Sequence, residues 1–301
     1  MVGRFAPSPT GPLHLGSLRT ALAAWLSARA AGSRFLVRIE DLDPQRSRRE
    51  WEADQLHDLA ALGIDWDEAP VRQSERFGLY QAALVELERT GRLYPCFCTR
   101  AEIRAAASAP HGDLPEGAYP GTCRAITPAE RDARVAAGER HALRVDAGAV
   151  GISYEDALLG PQSSLVDDFV VRRADGVPAY QLAVVIDDAD QQIEQVVRGA
   201  DLADSTGRQI LLARWLGLPV AAYAHVGLVL GADGARLAKR HGAATIADRD
   251  EPVEATLALL AHSLGLARER ESVGSAAELL DGFDPAALPR GDIMLGAPSQ
   301  R

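Results

Sequence analysis

The chain has 301 residues, of which 47% are hydrophobic and 25% are charged, and these values exclude a disordered chain, a collagen-like chain and a small disulfide-held scaffold. The 42 acidic and 32 basic residues give a formal net charge of −10, which disfavours nonspecific nucleic-acid binding as the main activity. The sequence has no signal peptide, no coiled-coil pattern and no apolar run near the roughly 20 residues of a membrane span. We therefore expect a cytoplasmic monomer with about two domains and no membrane partner.

The first predicted elements form a βαβ unit. A strand pattern over about residues 2–6 is followed by a Pro-Gly loop and by a helix pattern over about residues 15–31. Gly32 suits the C-terminal cap of that helix, and residues 35–39 are a second strand pattern. Strand, helix and strand in this order predict a parallel sheet.

Two further helices are predicted before residue 90. Ser47 and Glu50 have the spacing of a capping box, which predicts a helix that ends near Gly63. Another helix is predicted over about residues 75–89.

The middle of the chain has a different character, because it holds all three cysteines and a Pro/Gly-rich stretch over residues 110–121. Thr127 and Glu130 predict the start of a short helix, and short strands are predicted around residues 141–145 and 152–154. We interpret this segment as an insertion between two halves of the first domain.

After the insertion, the predicted elements are strands at residues 169–172, 179–186 and 195–198, a helix near residues 203–216 and a strand near residues 224–230. Asp175-Gly176 is a hairpin signal between the first two strands. The last stretch, from about Pro252, has one clear helix and then a Gly/Pro-rich tail.

The first candidate functional motif is the run from Arg4 to Ser17, which joins the first predicted strand to the first helix. A helix N-terminus suits phosphate, and Gly11 and Gly16 allow the backbone to approach a ligand closely. His14 at the helix start can donate a hydrogen bond to a phosphate oxygen. The alternative is a rigid proline-rich turn with a surface histidine.

Three motifs carry a resemblance to a known family. RFAPSPTGPLHLGSLRTAL followed by FLVRIEDLD closely resembles the class I glutamyl/glutaminyl-tRNA synthetases, with HLGS in place of their HIGH-type motif. Residues 236–240, RLAKR, resemble the KMSKS-type loop, and their lysine, Lys239, is the only lysine of the chain. Residues 197–201, VRGAD, are similar to a third family segment. The resemblance covers about residues 1–245.

The resemblance implies an α/β fold: a Rossmann-type parallel sheet split by a zinc-bearing insertion, with a short helical C-terminal region. The expected divisions are residues 1–92 and 168–245 for the two halves of the catalytic domain, 93–167 for the insertion, and 246–301 for the C-terminal region.

The implied activity is attack by an amino-acid carboxylate on the α-phosphate of ATP, which gives an aminoacyl adenylate and pyrophosphate. Both reactants are anions, so catalysis is mainly alignment and charge neutralisation. His14 and Lys239 are the expected catalytic residues, since they can hold the phosphates from opposite sides, and Mg²⁺ is expected with the ATP. The expected ATP-binding residues are His14, Gly16, Ser17, Arg236 and Lys239.

Two departures from the family motifs affect this expectation. Ser17 replaces the second histidine of the HIGH-type motif, while Arg236 and Ala238 replace the first lysine and the first serine of the KMSKS-type loop. The loop is expected to bind ATP less strongly, since an alanine side chain cannot form a hydrogen bond with phosphate.

The resemblance also implies an amino-acid pocket formed by Arg4, Ser8, Glu40, Tyr180 and Arg198. Arg4 can form a bidentate pair with a carboxylate, and Glu40 can neutralise an ammonium group. Two arginines and one glutamate suit L-glutamate, which has two carboxylates and one amine. Without the resemblance, Glu40 and Arg198 are equally explained as a surface acid and a strand-end ion pair.

Cys96, Cys98 and Cys123 offer three of the four ligands that a tetrahedral zinc ion needs. Chemistry alone favours His111 as the fourth ligand, whereas the resemblance suggests Tyr119. One structural zinc per chain is expected, and three reduced thiols without metal are the alternative.

Only 61 residues follow Arg240, and an anticodon-binding region of the usual size does not fit into them. With the cysteine pattern, this resembles the glutamyl-queuosine tRNA(Asp) synthetases. The resemblance implies tRNA-independent activation of glutamate and its transfer to queuosine in the anticodon arm of tRNA(Asp). Charging of the 3′ end of tRNA(Glu), and a non-catalytic glutamate or ATP sensor, remain as alternatives.

Overall fold

The computed structural model describes residues 1–99, 101–103, 119–231, 233–235, 237, 245–268 and 271–294. Lys239, Arg236 and His111 lie outside these residues. Within them the strands are β1 Gly3–Phe5, β2 Phe35–Ile39, β3 Val71–Arg72, β4 Leu93–Cys96, β5 Ala142–Val145, β6 Val150–Asp156, β7 Gly160–Val166, β8 Val170–Arg172, β9 Gln195–Gly199, β10 Ala222–Val226, β11 Val229–Leu230 and β12 Ile293–Met294. The helices are α1 Leu15–Ala30, α2 Arg49–Ala61, α3 Phe77–Arg89, α4 Pro128–Ala136, α5 Tyr180–Asp190, α6 Ala203–Trp215 and α7 Val253–Ser263.

A seven-stranded sheet forms the centre of the molecule, with the strand order β3-β2-β1-β9-β10-β6-β7. Every pair in it is parallel except the β6–β7 hairpin at one edge. The predicted βαβ unit is confirmed, since β1 and β2 pair in parallel and α1 connects them. Gly32 ends α1 with a φ of +61°, a conformation that favours glycine.

Helices cover both faces of this sheet. Phe35, Val37 and Ile39 of β2 pack into one hydrophobic cluster together with side chains of α1 and α7. Leu36, between them, packs into a second cluster with side chains of α3, α5 and α6. Successive residues of a strand point to opposite faces, so the sheet is buried from both sides, as parallel sheets require.

The predicted strand over residues 179–186 is wrong, because Tyr180–Asp190 is the helix α5. Its sequence contains the apolar run Leu182 to Ile186, and a short apolar run does not distinguish a buried strand from a buried helix. The turn at Asp175-Gly176 does form, and Arg173 donates its N–H to the carbonyl of Val177. The chain after it makes one bridge, from Pro178 to Arg172, and then enters the helix.

Two other boundaries differ from the sequence predictions. The N-cap residue of α2 is Arg48, without a side-chain cap, so the predicted capping box of Ser47 does not form. The predicted strand near residues 224–230 is divided into β10 and β11. In contrast, the Thr127 hydroxyl does accept the N–H of Glu130 at the start of α4, as the sequence predicts.

The strands β4 and β5 of the cysteine-bearing segment form a second, antiparallel sheet with β8, in the order β4-β5-β8. The hairpin β6–β7 also falls within residues 93–167, but it extends the central sheet through the pairing of β6 with β10. Among the described residues, no helix has the length and apolar character needed to cross a membrane.

Candidate active site

A cavity of about 530 Å³ opens where β1 and β9 end and α1 begins. Eight of the predicted ATP-binding and glutamate-binding residues line it, and they come from separate parts of the chain. They are Arg4, Ser8, His14, Gly16, Ser17, Glu40, Tyr180 and Arg198. The carboxyl ends of parallel strands are where α/β sheets bind ligands, so the position of the cavity is that of a binding site.

The N-terminus of α1 forms one wall of this cavity. His14 is the N-cap residue, and its backbone carbonyl accepts hydrogen bonds from the backbone N–H groups of Ser17 and Leu18. Its Nδ1 lies 3.4 Å from the Ser17 hydroxyl. The helix therefore presents its positive dipole end and the His14 imidazole to the same space, an arrangement that suits phosphate.

The first arginine of the cavity, Arg4, is held by a carboxylate of α5. Its Nε and Nη2 donate to the two carboxylate oxygens of Asp188 at 3.2 and 3.4 Å, and its Nη1 lies 3.5 Å from the carbonyl of Val197. A guanidinium has five N–H donors, so two remain on Nη1 and Nη2 beyond these contacts with described residues. Arg4 itself lines the cavity.

Asp188 also accepts a hydrogen bond from the fully buried Arg38, whose Nη1 lies 2.6 Å from Oδ1. Burial opposes ionisation of Asp188, but Arg38 and Arg4 outweigh it and hold the pKa of Asp188 below its ordinary value. Arg38 in turn donates to Glu40 at 3.3 Å. Asp188 thus stays ionised and orients both arginines.

Glu40 lies directly after β2 and lines the cavity. Burial raises the pKa of its carboxyl group, and the nearby charges of Arg38 and Arg4 offset this only in part. A carboxylate that is poorly solvated and incompletely neutralised favours an incoming cation, such as the ammonium group of an amino acid.

The second arginine, Arg198, makes five hydrogen bonds with its five N–H donors. Nε donates to Nε2 of His225 at 3.0 Å. The other acceptors are the Gln209 side chain at 2.7 Å, the Thr206 hydroxyl at 2.8 Å, the Leu202 carbonyl at 3.3 Å and the Tyr180 hydroxyl at 3.4 Å. The guanidinium is therefore fixed by these five contacts, of which the one to Tyr180 is the longest.

The ends of the segment that carries Lys239 lie at the same cavity. Leu237 lines it and donates its backbone N–H to the carbonyl of Val229 at 2.8 Å. Thr245 forms an isolated bridge with His14. The intervening residues, and Arg236, are outside the described residues.

The three cysteines form a separate cluster between the second sheet and the loop that follows residue 118. Their sulfur atoms lie within 4.8 Å of one another, and those of Cys98 and Cys123 are 3.4 Å apart. The Tyr119 hydroxyl lies 3.5 Å from the sulfur of Cys96 and 3.6 Å from that of Cys98. The cluster thus gathers all four ligands that the family resemblance implies, while His111 lies outside the described residues.

A family model for the catalytic domain of class I tRNA synthetases (E and Q) matches residues 1–286. The chain belongs to this family. The resemblance seen in the sequence motifs is thereby confirmed.

Curated relatives within this family match nearly the whole chain. A glutamyl-Q tRNA(Asp) synthetase from Nocardia farcinica is 55% identical over 96% of this chain and 91% of its own length. One from Symbiobacterium thermophilum is 51% identical over 99% and 96%. Among solved structures, a glutamate tRNA ligase from Elizabethkingia meningosepticum in complex with its amino acid gives a TM-score of 0.84, with 29% identity over 99% of this chain and 67% of that one.

Sequence reasoning missed the residues behind the two cavity arginines. Asp188 was not recognised because residues 179–186 were assigned to a strand, although the acidic residues Asp187, Asp188 and Asp190 follow that apolar run directly. The sequence does not indicate a functional role for His225, since a lone histidine in a strand is more often an ordinary core residue. Both became visible only through their contacts across the sheet.

We expect the catalytic efficiency with glutamate in ATP–pyrophosphate exchange to fall in acid as Glu40 becomes protonated. The raised pKa of Glu40 places this loss above pH 4.3, the approximate pKa of an exposed glutamate. In the Glu40→Gln variant kcat/KM at pH 7 should be lower by roughly 10-fold or more, the equivalent of one charged hydrogen bond. The fall of kcat/KM in acid that protonation of Glu40 causes should be absent from this variant. A variant with the parental pH profile would contradict the role of Glu40.

Proposed function

We propose that the protein activates L-glutamate with ATP to glutamyl-adenylate without tRNA, and then transfers glutamate to the queuosine base at the wobble position of tRNA(Asp). The observation that carries this proposal is the 46–55% identity to three curated glutamyl-Q tRNA(Asp) synthetases over nearly the whole chain. The cavity supports the first step, because it joins two arginines, a mostly buried glutamate and a helix N-terminus.

Glutamate fits the charges of the cavity. The spare N–H donors of Arg4 can hold one carboxylate, Arg198 can hold a second by exchanging its Tyr180 contact, and Glu40 can accept the ammonium group. Ser8 lies on the same wall. A neutral amide in place of the side-chain carboxylate would lose the charge attraction to these arginines, which favours glutamate over glutamine.

The reaction itself needs alignment and not a side-chain nucleophile. The carboxylate of glutamate attacks the α-phosphate of ATP, a C–O–P bond forms, and pyrophosphate leaves with the electron pair of the broken P–O bond. His14 and the backbone N–H groups of α1 can hold the phosphates and stabilise their growing charge. Mg²⁺ bound to ATP supplies further charge neutralisation and needs few protein ligands, since it keeps phosphate oxygens and water.

The transfer step is tested with labelled glutamate and three acceptors: tRNA(Asp) with queuosine, tRNA(Asp) without queuosine, and tRNA(Glu). We expect label only on the first, at the wobble nucleotide after nuclease mapping. Label at the 3′ end of tRNA(Glu) would instead support the activity of a glutamate tRNA ligase, the function of the Elizabethkingia neighbour. Absence of glutamate-dependent ATP–pyrophosphate exchange would support a non-catalytic sensor.

Lys239 is proposed to meet the β- and γ-phosphates from the side opposite His14. This is supported by Leu237, which lines the cavity, and by Thr245, which pairs with His14. We expect Lys239→Ala to lower exchange activity by roughly 100-fold, since loss of one preorganised charge has an effect of this order. Arg236 is proposed to assist in ATP binding.

Glutamate affinity of the Lys239→Ala variant, measured by calorimetry without ATP, should equal that of the parent. Lys239→Arg is the matched control, which keeps the charge and should retain more activity than the alanine variant. Equal exchange rates in the parent and Lys239→Ala would exclude the proposed role.

We also propose a structural zinc ion bound by Cys96, Cys98, Tyr119 and Cys123. Zinc–sulfur bonds of about 2.3 Å in a tetrahedron place sulfur atoms roughly 3.8 Å apart, which fits the cysteine cluster. Arg144 donates a hydrogen bond to the sulfur of Cys96 at 3.2 Å, a contact that favours a thiolate. The ion would join β4 to the loop around Tyr119 and so stabilise the proposed insertion over residues 93–167.

Metal analysis of the purified protein should find one zinc per chain. Competition with a chelator should show roughly 10-fold or more weaker zinc binding in Cys123→Ser and in Tyr119→Phe, because each removes one ligand atom. His111→Ala should bind zinc like the parent. Weak binding in His111→Ala with parental binding in Tyr119→Phe would assign the fourth ligand to His111.

A further inference from the structure

Asp156 and His225 form a buried pair behind Arg198, outside the wall of the cavity. His225 and Arg198 are direct register partners on the parallel strands β10 and β9, so their side chains lie on the same face of the sheet. Asp156 ends β6, the next strand, and its Oδ2 lies 2.5 Å from Nδ1 of His225. The three side chains thus form a line across three strands.

The hydrogen-bond donors along this line determine the tautomer of His225. The Nε of Arg198 always carries a proton, so Nε2 of His225 must accept its hydrogen bond. The imidazole proton is therefore on Nδ1 and is donated to Asp156. Nε2 of His225 also lies 3.3 Å from the hydroxyl oxygen of Thr206. That oxygen accepts a hydrogen bond from Arg198.

Asp156 is itself held in one orientation. Its Oδ1 accepts three backbone N–H groups, from Leu158, Leu159 and His225, at 2.9 to 3.2 Å. Burial opposes its ionisation, but the hydrogen bonds from His225 and the backbone lower its pKa to about 2. Oδ2 is therefore an ionised acceptor directed at the imidazole.

We propose that Asp156 and His225 are positioning residues that orient the guanidinium of Arg198 for the substrate carboxylate. The Nε contact fixes one edge of the guanidinium plane, while the long contacts to Tyr180 and Leu202 are those that a carboxylate can replace. This inference deepens the proposed function, because Arg198 matters only if it binds glutamate.

The Asp156→Asn variant tests the hydrogen bonds that join Asp156, His225 and Arg198, with almost no change in side-chain volume. The asparagine carbonyl oxygen must remain at the three backbone N–H groups, so the amide nitrogen faces His225 and donates to Nδ1. The imidazole proton then moves to Nε2, where it opposes the N–H of Arg198. A wrong tautomer, and not a cavity, is the expected defect.

We expect Asp156→Asn to raise KM for glutamate in the exchange assay by roughly 10- to 100-fold, the effect of losing one hydrogen bond to a charged group, with KM for ATP within about twofold. Asp168→Asn is the matched control. Asp168 is also buried and hydrogen-bonded, to Tyr94 and to the backbone of Ala147, but it has no contact with Arg198 among the described residues. This control should keep the parental KM for glutamate.

A second pair of variants separates positioning from packing. In His225→Gln the side-chain oxygen can still accept from Arg198, whereas in His225→Leu no acceptor remains. We expect the glutamine variant to recover most of the glutamate affinity that the leucine variant loses. Equal KM values for glutamate in these two variants, or an equal rise in KM for glutamate and ATP, would show a merely structural role and overturn the proposal.

Nitrogen-15 NMR of labelled histidine gives a readout that does not depend on activity. The His225 signals, assigned by their absence in His225→Gln, should show the proton on Nδ1 in the parent and on Nε2 in Asp156→Asn. An unchanged tautomer would overturn the inference. Should the parent show no glutamate-dependent exchange, the proposed function fails, while the NMR result still decides whether the line controls the tautomer.

Discussion

Buried arginines that keep their charge are the constraint on which the site depends. A charged group inside a protein is tolerated only when counter-charges and hydrogen bonds replace the water that it has lost. Arg4 and Arg38 meet this condition by sharing Asp188, and Arg38 also reaches Glu40. The carboxylate of Asp187, 3.8 Å from Nε of Arg38, adds a further counter-charge. Arg4 and the poorly solvated Glu40 both line the cavity.

Arg198 satisfies the same constraint with different chemistry. It is surrounded by neutral acceptors, and the nearest carboxylate in its line, Asp156, acts through the imidazole of His225. The positive charge of Arg198 is thus less completely neutralised than that of Arg4, which has Asp188 in direct contact. The cavity therefore combines one arginine held by an ion pair with one held by a neutral network.

Much of the fold was predictable from local patterns, whereas the residues of the cavity lining were predicted through the resemblance to the synthetase family. The βαβ unit was visible in the alternation of Pro-Gly loop, helix and strand, and Arg4, Ser8, His14 and Glu40 lie in motifs that border it. The helix α5 was not predictable, since its apolar run is equally compatible with a buried strand. The contacts of Asp188 and His225 were not predictable either, because they join strands and helices that are far apart in the sequence.

The long sequence separation of these contacts has a consequence for biosynthesis. Arg4 and Asp188 are separated by 184 positions, and Asp156 and His225 by 69. Loop closure between such distant positions is slow, and the contacts give no stabilisation until both partners are present. A nascent chain that has emerged from the ribosome only as far as β8 therefore carries Arg4 and Arg38 without Asp188, the partner in α5 that they share. Amino-acid recognition is thus acquired late in translation, after β10 has been added to the sheet.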